Sequence, residues 1–350
     1  MKKIVALALI LVLLCGMTAC SKPEEPAEPT TTPAPTTTTL NLKGINLLTG
    51  EKASDSASSR PIGIMVPNDS ATIGKQIGID KADFIMETET EGSIPRMLAV
   101  FRNVESIPDK VGPVRSARSP FIATARALDV VYLHAGGSLQ ARALLKTGVL
   151  DHFDALTDAK TFWRDNQLKA AIDYVHSVAT SREAISARLT KNNIRTEANQ
   201  AFPFKFSETA KTGDAAANTV QLRTTASHTV TFKYDAATKT YNKNVGKIET
   251  CKPHKTIDGK QLSFTNVLVL YSTKLAEVTD AGKGNTANFE NGTGKGYLIS
   301  MGTYREITFN RTDSSIAIME KDGTTTALLN KGKTYMFLVD KNLAGKEIFQ

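Results

Sequence analysis

Cysteine is scarce in this chain, three in 350 residues, and its placement takes disulfides out of the account. Cys15 lies in an N-terminal apolar run and Cys20 just beyond it, so Cys251 is the one thiol left for the body, and the fold must stand on its core. The apolar run, Ile4 to Leu14, is too short to span a bilayer and suits the core of a secretory leader preceded by Lys2 and Lys3. Runs of basic residues are absent as well. The formal charge is +8, and removal of Lys2 and Lys3 with the leader leaves 8 − 2, or about +6. These charges are scattered without interleaved aromatics, which excludes the electrostatic footprint of a nucleic-acid binder while leaving attraction to acidic lipids or wall polymers open. His134, His152, His176, His228 and His254 are dispersed, with no paired spacing for a metal. Neither GxGxxG nor GxxxxGK[ST] is found around the one glycine pair of interest, so no cofactor is expected.

What is present begins with an export signal. Met17-Thr18-Ala19-Cys20 resembles the lipobox at which bacterial lipoproteins are acylated and cut, with methionine where leucine is commoner. Residues 1–19 then read as a lipoprotein signal peptide and Cys20 as the lipidated first residue; the alternative is an ordinary signal cut near Ala19. A diacylglyceryl group supplies two acyl chains, enough for stable anchoring at the extracytoplasmic face of the cell membrane. Residues 20–59 read as a disordered tether. Ser21 to Thr39 is almost wholly Pro, Thr, Glu and Ala, and at about 3.1 Å per residue it reaches on the order of 60 Å. Order is expected from near Arg60, with Leu47 and Leu48 as candidates for docking on the body.

The body divides by pattern. Residues 60–205 alternate strand-like runs (61–66, 82–91, 94–102, 129–134) with helical stretches (121–128, 139–146, 181–189), which predicts an α/β domain with a mixed sheet and helices. Residues 206–225 read as a linker. Residues 226–350 carry short β-like runs separated by Asp-Gly and Asn-Gly turns, a mostly β domain. Cys251 and His254 sit close in this turn-rich part, without a third group to orient them as a nucleophile and base.

Candidate site residues concentrate in the first domain. Gly112 to Ser119 reads as a turn opening a helix, which would set Arg115 and Arg118 on one face near its N-terminus, where an anion is favoured. Upstream, Glu87, Glu89 and Glu91 would share one strand face. Neighbours about 7 Å apart repel by roughly 0.6 kcal/mol in water and 2.4 kcal/mol at an effective dielectric of 20, so burial would demand cations opposite them. Arg96 or the arginine turn are the cations in view. Downstream, strand 129–134 runs into Ala135-Gly136-Gly137-Ser138 and a helix, the order of elements in an anion-cradling turn, with Ser138 placed to cap; a glycine turn needed for close packing gives the same sequence.

The chain resembles the YerB-like family of bacterial lipoproteins, in which two domains of unknown function follow a lipobox. The resemblance rests on RPIGIM (60–65), KVGPVRSAR (110–118), YLHAGGS (132–138) and FWRD (162–165). By this resemblance Asp83, Glu87, Glu91, Arg96, Arg115, Ser116, Arg118, His134, Gly136, Gly137 and Ser138 match family positions, and Glu89 does not. His176 falls where relatives have a His-Asn pair, with Ser177 and Ala179 replacing its partners. The family implies no reaction. The expectation is a lipid-anchored envelope binding or scaffold module with a mixed-charge, anion-accepting cleft, its partners envelope polymers or membrane proteins. The alternative is an envelope enzyme acting on peptidoglycan or its stem peptides through a carboxylate pair or His134.

Overall fold

A computed structural model describes residues 44–54, 59–199, 202–278 and 285–350. The signal peptide, Cys20 and the Pro/Thr-rich stalk lie outside the described residues. The first half supplies β1 (Ile62–Pro67), β2 (Phe84–Glu89), β3 (Pro95–Phe101), α1 (Ser119–Ala127), β4 (Val131–His134), α2 (Leu139–Lys146), β5 (His152–Asp154), α3 (Asn166–Ala171) and α4 (Arg182–Lys191). The second supplies β6 (Thr219–Arg223), β7 (Thr229–Asp235), β8 (Thr240–Val245), β9 (Asn266–Ser272), β10 (Gly292–Ser300), β11 (Thr303–Arg311), β12 (Ile316–Glu320) and β13 (Thr334–Asp340). The first half is therefore mixed α/β and the second mostly antiparallel β, as the sequence pattern indicates. The expected linker, 206–225, contains β6 and a short strand at Ala215–Ala216 that pairs with β11.

Among the described residues the largest sheet has eleven strands and draws on both halves, in the order β12-β11-β10-β9-β13-β2-β3-β1-β4-β5, with Ala215–Ala216 beside β11. The junction is parallel: β13 lies between β2 and β9, with Phe84 opposite Thr334 and Thr88 opposite Leu338 on one side and Asn266 opposite Thr334 on the other. These central strands are buried on both faces, which is why IGIMVP, NVLVLYS and TYMFLVD read as near-continuous apolar runs.

Each face of this sheet has its own core. On one, Ile64, Ile85, Met97, Tyr335 and Phe337 meet Val220, Phe232 and Tyr241 of a second antiparallel sheet built on β6, β7 and β8. On the other, Met65, Phe84, Met86, Leu98 and Val100 meet Phe121 and Ile122 of α1, together with Phe202, Phe204, Leu47 and Leu48. Leu48 is fully buried, so ordered chain begins ahead of Arg60.

Candidate functional site

Backbone geometry at residues 112–118 differs from the expected helix start. The segment is extended: Val114 N–H donates to Val178 O (2.8 Å), Arg115 N–H to Met65 O (2.9 Å) and Ala117 N–H to Gly136 O (2.8 Å). Arg118 is the extended N-cap residue of α1 (φ −141°, ψ 150°), and Pro120 in the first turn explains why the helix starts there and not earlier. Arg115 and Arg118 therefore do not share a helix face. In an extended chain, residues three apart project to opposite sides.

Arg118 projects inward and makes a bidentate pair with Glu91, Nε to Oε2 at 2.8 Å and Nη2 to Oε1, while its Nη1 donates to Ala117 O at 2.7 Å. Arg96 joins from β3, Nη2 to Glu91 Oε1 at 2.8 Å and Nη1 to the Ser116 carbonyl at 3.3 Å. Burial pushes Glu91 up, but the hydrogen bond from Arg118 and the charges of both arginines outweigh it and hold its carboxyl at about 2. Burial, with the neighbouring charge of Arg118, lowers Arg96 to about 10. Two guanidiniums on one carboxylate make a compact ionic knot, and Ser116 contributes its backbone oxygen to it.

Glu87 is not part of this knot. Its side chain shares the face of Ile85, against the second sheet, whereas Arg96 shares the face of Leu98 and Val100. There Glu87 Oε2 accepts from Asn68 Nδ2 (2.9 Å) and the Tyr335 hydroxyl, with Lys243 Nζ at 3.4 Å, and both Glu87 and Lys243 are fully buried. Lys243 donates in turn to His254 Nδ1 (3.0 Å), and His228 Nε2 lies 3.6 Å from Glu87 Oε1. Burial lowers the Lys243, His228 and His254 pKa values. Glu89 takes a fourth cation, Lys274 Nζ at 2.8 Å. The three carboxylates thus have separate cations, Lys243 for Glu87, Lys274 for Glu89 and the pair Arg96 and Arg118 for Glu91. Glu91 does not share the strand face of the other two, because β2 ends at Glu89 and Glu91 opens the turn that follows.

The arginine segment and the glycine turn do run side by side. Ala135 N–H donates to Arg115 O (3.0 Å) and Ser138 N–H to Ala117 O (3.3 Å). The turn's donors serve the chain itself, however: Gly136 N–H, at φ +68°, donates to Asp154 Oδ1 (2.7 Å), which also accepts from Leu156 N–H (3.0 Å). Gly137 lies against Ala117, where an added Cβ would stand 3.3 Å from the alanine methyl, and Ser138 Oγ caps α2 by accepting from Ala141 N–H (3.2 Å). His134 is buried below the turn. Its Nδ1 lies 2.8 Å from Gly136 O and so carries the proton, leaving Nε2 to accept from His152 Nδ1 at 3.0 Å. Burial, only partly opposed by Asp154, takes His134 down to about 4.

Arg115 stands apart from all of this. Its Nε is buried without a hydrogen-bond partner, and burial lowers its pKa against the opposing charge of Asp69. No carboxylate among the described residues forms an ion pair with it; Asp69, Glu91 and Asp173 act on it only at longer range. His176 sits between two of those acids, Nδ1 2.9 Å from Asp173 Oδ2 and Nε2 3.6 Å from Asp69 Oδ2. Beyond Asp173 the chain presents Tyr174 and Val175, each more than half exposed. Arg164 holds that corner by donating Nη1 to Tyr174 O (2.6 Å) with its guanidinium 4.2 Å from the ring centroid. The surface is thus one unneutralised arginine, two carboxylates, a histidine and a fixed aromatic. Asp69 and Asp173 were not singled out from sequence, since each lies in a turn that looks like any Asp-containing loop.

The two halves match the N-terminal domain model of a protein family of unknown function (DUF3048) over residues 48–195 and its C-terminal domain model over residues 219–336. A Bacillus subtilis (strain 168) protein named "Putative lipoprotein YerB" is 26% identical over 300 residues, 83% of this chain and 85% of that one. The crystal structure of YerB protein from Bacillus subtilis superposes with a TM-score of 0.71 at 23% identity, covering 87% of this chain and 99% of the other. With both of its halves matched in order, the chain belongs to the two-domain DUF3048 family that includes YerB.

Proposed function

We propose that this protein is a lipid-anchored binding module of the cell envelope, attached through Cys20 at the extracytoplasmic face, whose ligand seats an acidic group on Arg115. The observation that carries the reading is the buried, unpartnered Nε of Arg115. A half-buried guanidinium without an ion pair is short of an acceptor that an incoming carboxylate or phosphate supplies. Asp69 and Asp173 add a place for a positive group, and exposed Tyr174 adds an apolar contact, so the favoured partner segment carries charges of both signs.

The test separates arginines that differ only in their partners. Mature protein carrying Arg115→Ala is expected to lose binding to envelope fractions at least about tenfold while keeping its melting temperature. Arg118→Ala is expected to lose stability first. Equal retention of envelope components by wild type and Arg115→Ala would refute the reading.

One observation favours an enzyme: His176 is held by Asp173 and faces Asp69, a geometry suited to proton transfer. His134 does not add to it, because both its ring nitrogens are engaged. New masses after incubation with muropeptides would support this alternative, and unchanged muropeptides would retire it.

A further inference from the structure

The second half contains a cavity of about 840 Å³, the size of a small-ligand site. It lies over β9, β10 and β11 of the large sheet, next to Phe349 at the edge of the second sheet. Strand β10 forms its floor. Gly292, Gly294 and Gly296 alternate there with Thr293, Lys295 and Tyr297. The glycines turn toward the apolar core, where the Phe309 ring occupies the space a Cβ at Gly294 would need, and the three larger side chains turn toward the cavity.

The aromatic part of this floor is fixed. Tyr271 donates its hydroxyl to Glu347, and Tyr297 stands edge-on to Tyr271 (centroids 6.3 Å apart), to Tyr304 (5.7 Å) and to Phe349 (5.2 Å). Tyr297 therefore offers an aromatic surface at little ordering cost. The charged part is mixed: three lysines (Lys295, Lys321 and Lys341) and two carboxylates (Glu290 and Glu306) line the cavity, and Glu347 lies behind Tyr271 with its charge engaged by that hydroxyl. Lys321 is paired with Glu306 at 2.7 Å, which leaves Lys295 and Lys341 exposed and without an ion pair among the described residues. Thr293, Thr308 and Asn291 add hydroxyl and amide groups around the rim. Thr308 Oγ1 donates to Glu320 O (3.1 Å) and keeps its acceptor side, and Asn291 donates one amide hydrogen to Asp313 Oδ1 (2.7 Å) and keeps the other with its carbonyl oxygen.

We propose that this cavity is a second binding site, for a saccharide bearing acidic substituents: sugar rings against Tyr297, hydroxyls on Thr293, Thr308 and Asn291, and carboxylates on Lys295 and Lys341. An apolar ligand would leave these polar groups unpaired, and a bare inorganic anion would leave the aromatic floor unused. The site stands independently of Arg115.

Calorimetry on the mature chain tests it with two probes of equal length. One is a tetrasaccharide of alternating N-acetylglucosamine and N-acetylmuramic acid with free lactyl carboxylates; the other is chitotetraose, the same backbone without them. The acidic tetrasaccharide is expected to bind at least about tenfold more tightly than chitotetraose, and Tyr297→Ala to weaken it by a similar factor. Lys295→Ala with Lys341→Ala, both exposed and so harmless to folding, should erase the preference between the probes, and Arg115→Ala should leave it intact. No heat from the acidic tetrasaccharide at millimolar concentration, equal affinity for the two probes, or an unchanged preference in the double-lysine variant would each overturn the proposal.

Discussion

Arg115 and Arg118 are three residues apart, share one residue type, and do different work because of what each meets. Arg118 meets Glu91 in a bidentate pair with Arg96 beside it, so removing it leaves a largely buried carboxylate short of a partner and costs about 3 kcal/mol. Arg115 meets no counter-ion, so truncating it strands no carboxylate and leaves the melting temperature where it was. Several groups make the fold acid-sensitive: the histidines His134, His152, His228 and His254, all lowered by burial, and the carboxylate Glu91. His134 refuses below pH 6.5 a proton that the unfolded chain takes, so stability falls as pH drops from 6.5 toward about 4. Glu91 holds its charge to about 2 where the unfolded carboxyl titrates near 4.5, so its contribution, reduced by solvent screening at this partly exposed carboxyl, is present above 4.5 and fades as pH falls toward 2. Urea midpoints measured at pH 7, 5 and 3 should decline at both steps, and His134→Gln should reduce the first, which His152, His228 and His254 share. A midpoint unchanged between pH 7 and 5 in the wild type would contradict the buried neutral histidine.

Among the elements, α2 gives the cleanest separation of packing from binding. Ser138→Ala should cost about 1 kcal/mol through loss of the cap and leave ligand binding unchanged, as read by urea unfolding and the envelope pull-down on the same sample. Much at this scale was legible in the sequence. The strands around Ile62, Phe84, Val131, Val267 and Tyr335, and helix α2, follow from apolar runs, turn residues and a capping serine. The segment 112–118 was not, because Pro120 three residues on and strand-like pairing with β1 and residue 178 override what looks like a helix start. The partners of the glutamates were not legible either. Lys243 and Lys274 lie more than 150 residues from Glu87 and Glu89, and a lysine in TYNKNV carries no local sign of burial. Composition likewise gave no hint that His228 and His254, dispersed in sequence, flank one buried pair, His228 at Glu87 and His254 at Lys243.

At the scale of the molecule, the second half completes the first. Strand β13, near the C-terminus, fills the position between β2 and β9, and Lys243 from the second sheet neutralises Glu87 from the first half. Residues 44–210 expressed alone should expose the β2 edge and a buried carboxylate without its lysine, and aggregate. A soluble, cooperatively unfolding fragment would contradict that dependence. The same construction fixes the Arg115 surface, since β1, the extended 112–118 segment and the Tyr174 corner are all held by strands of this sheet or by pairs to them. The most direct measurement places a photocrosslinking residue at exposed Val175 of this protein in intact cells. With Arg115 present it should capture a discrete envelope partner, and Arg115→Ala should abolish that capture at equal protein level and melting temperature. The same crosslinked species at the same yield in both would contradict Arg115 as the group that receives the ligand.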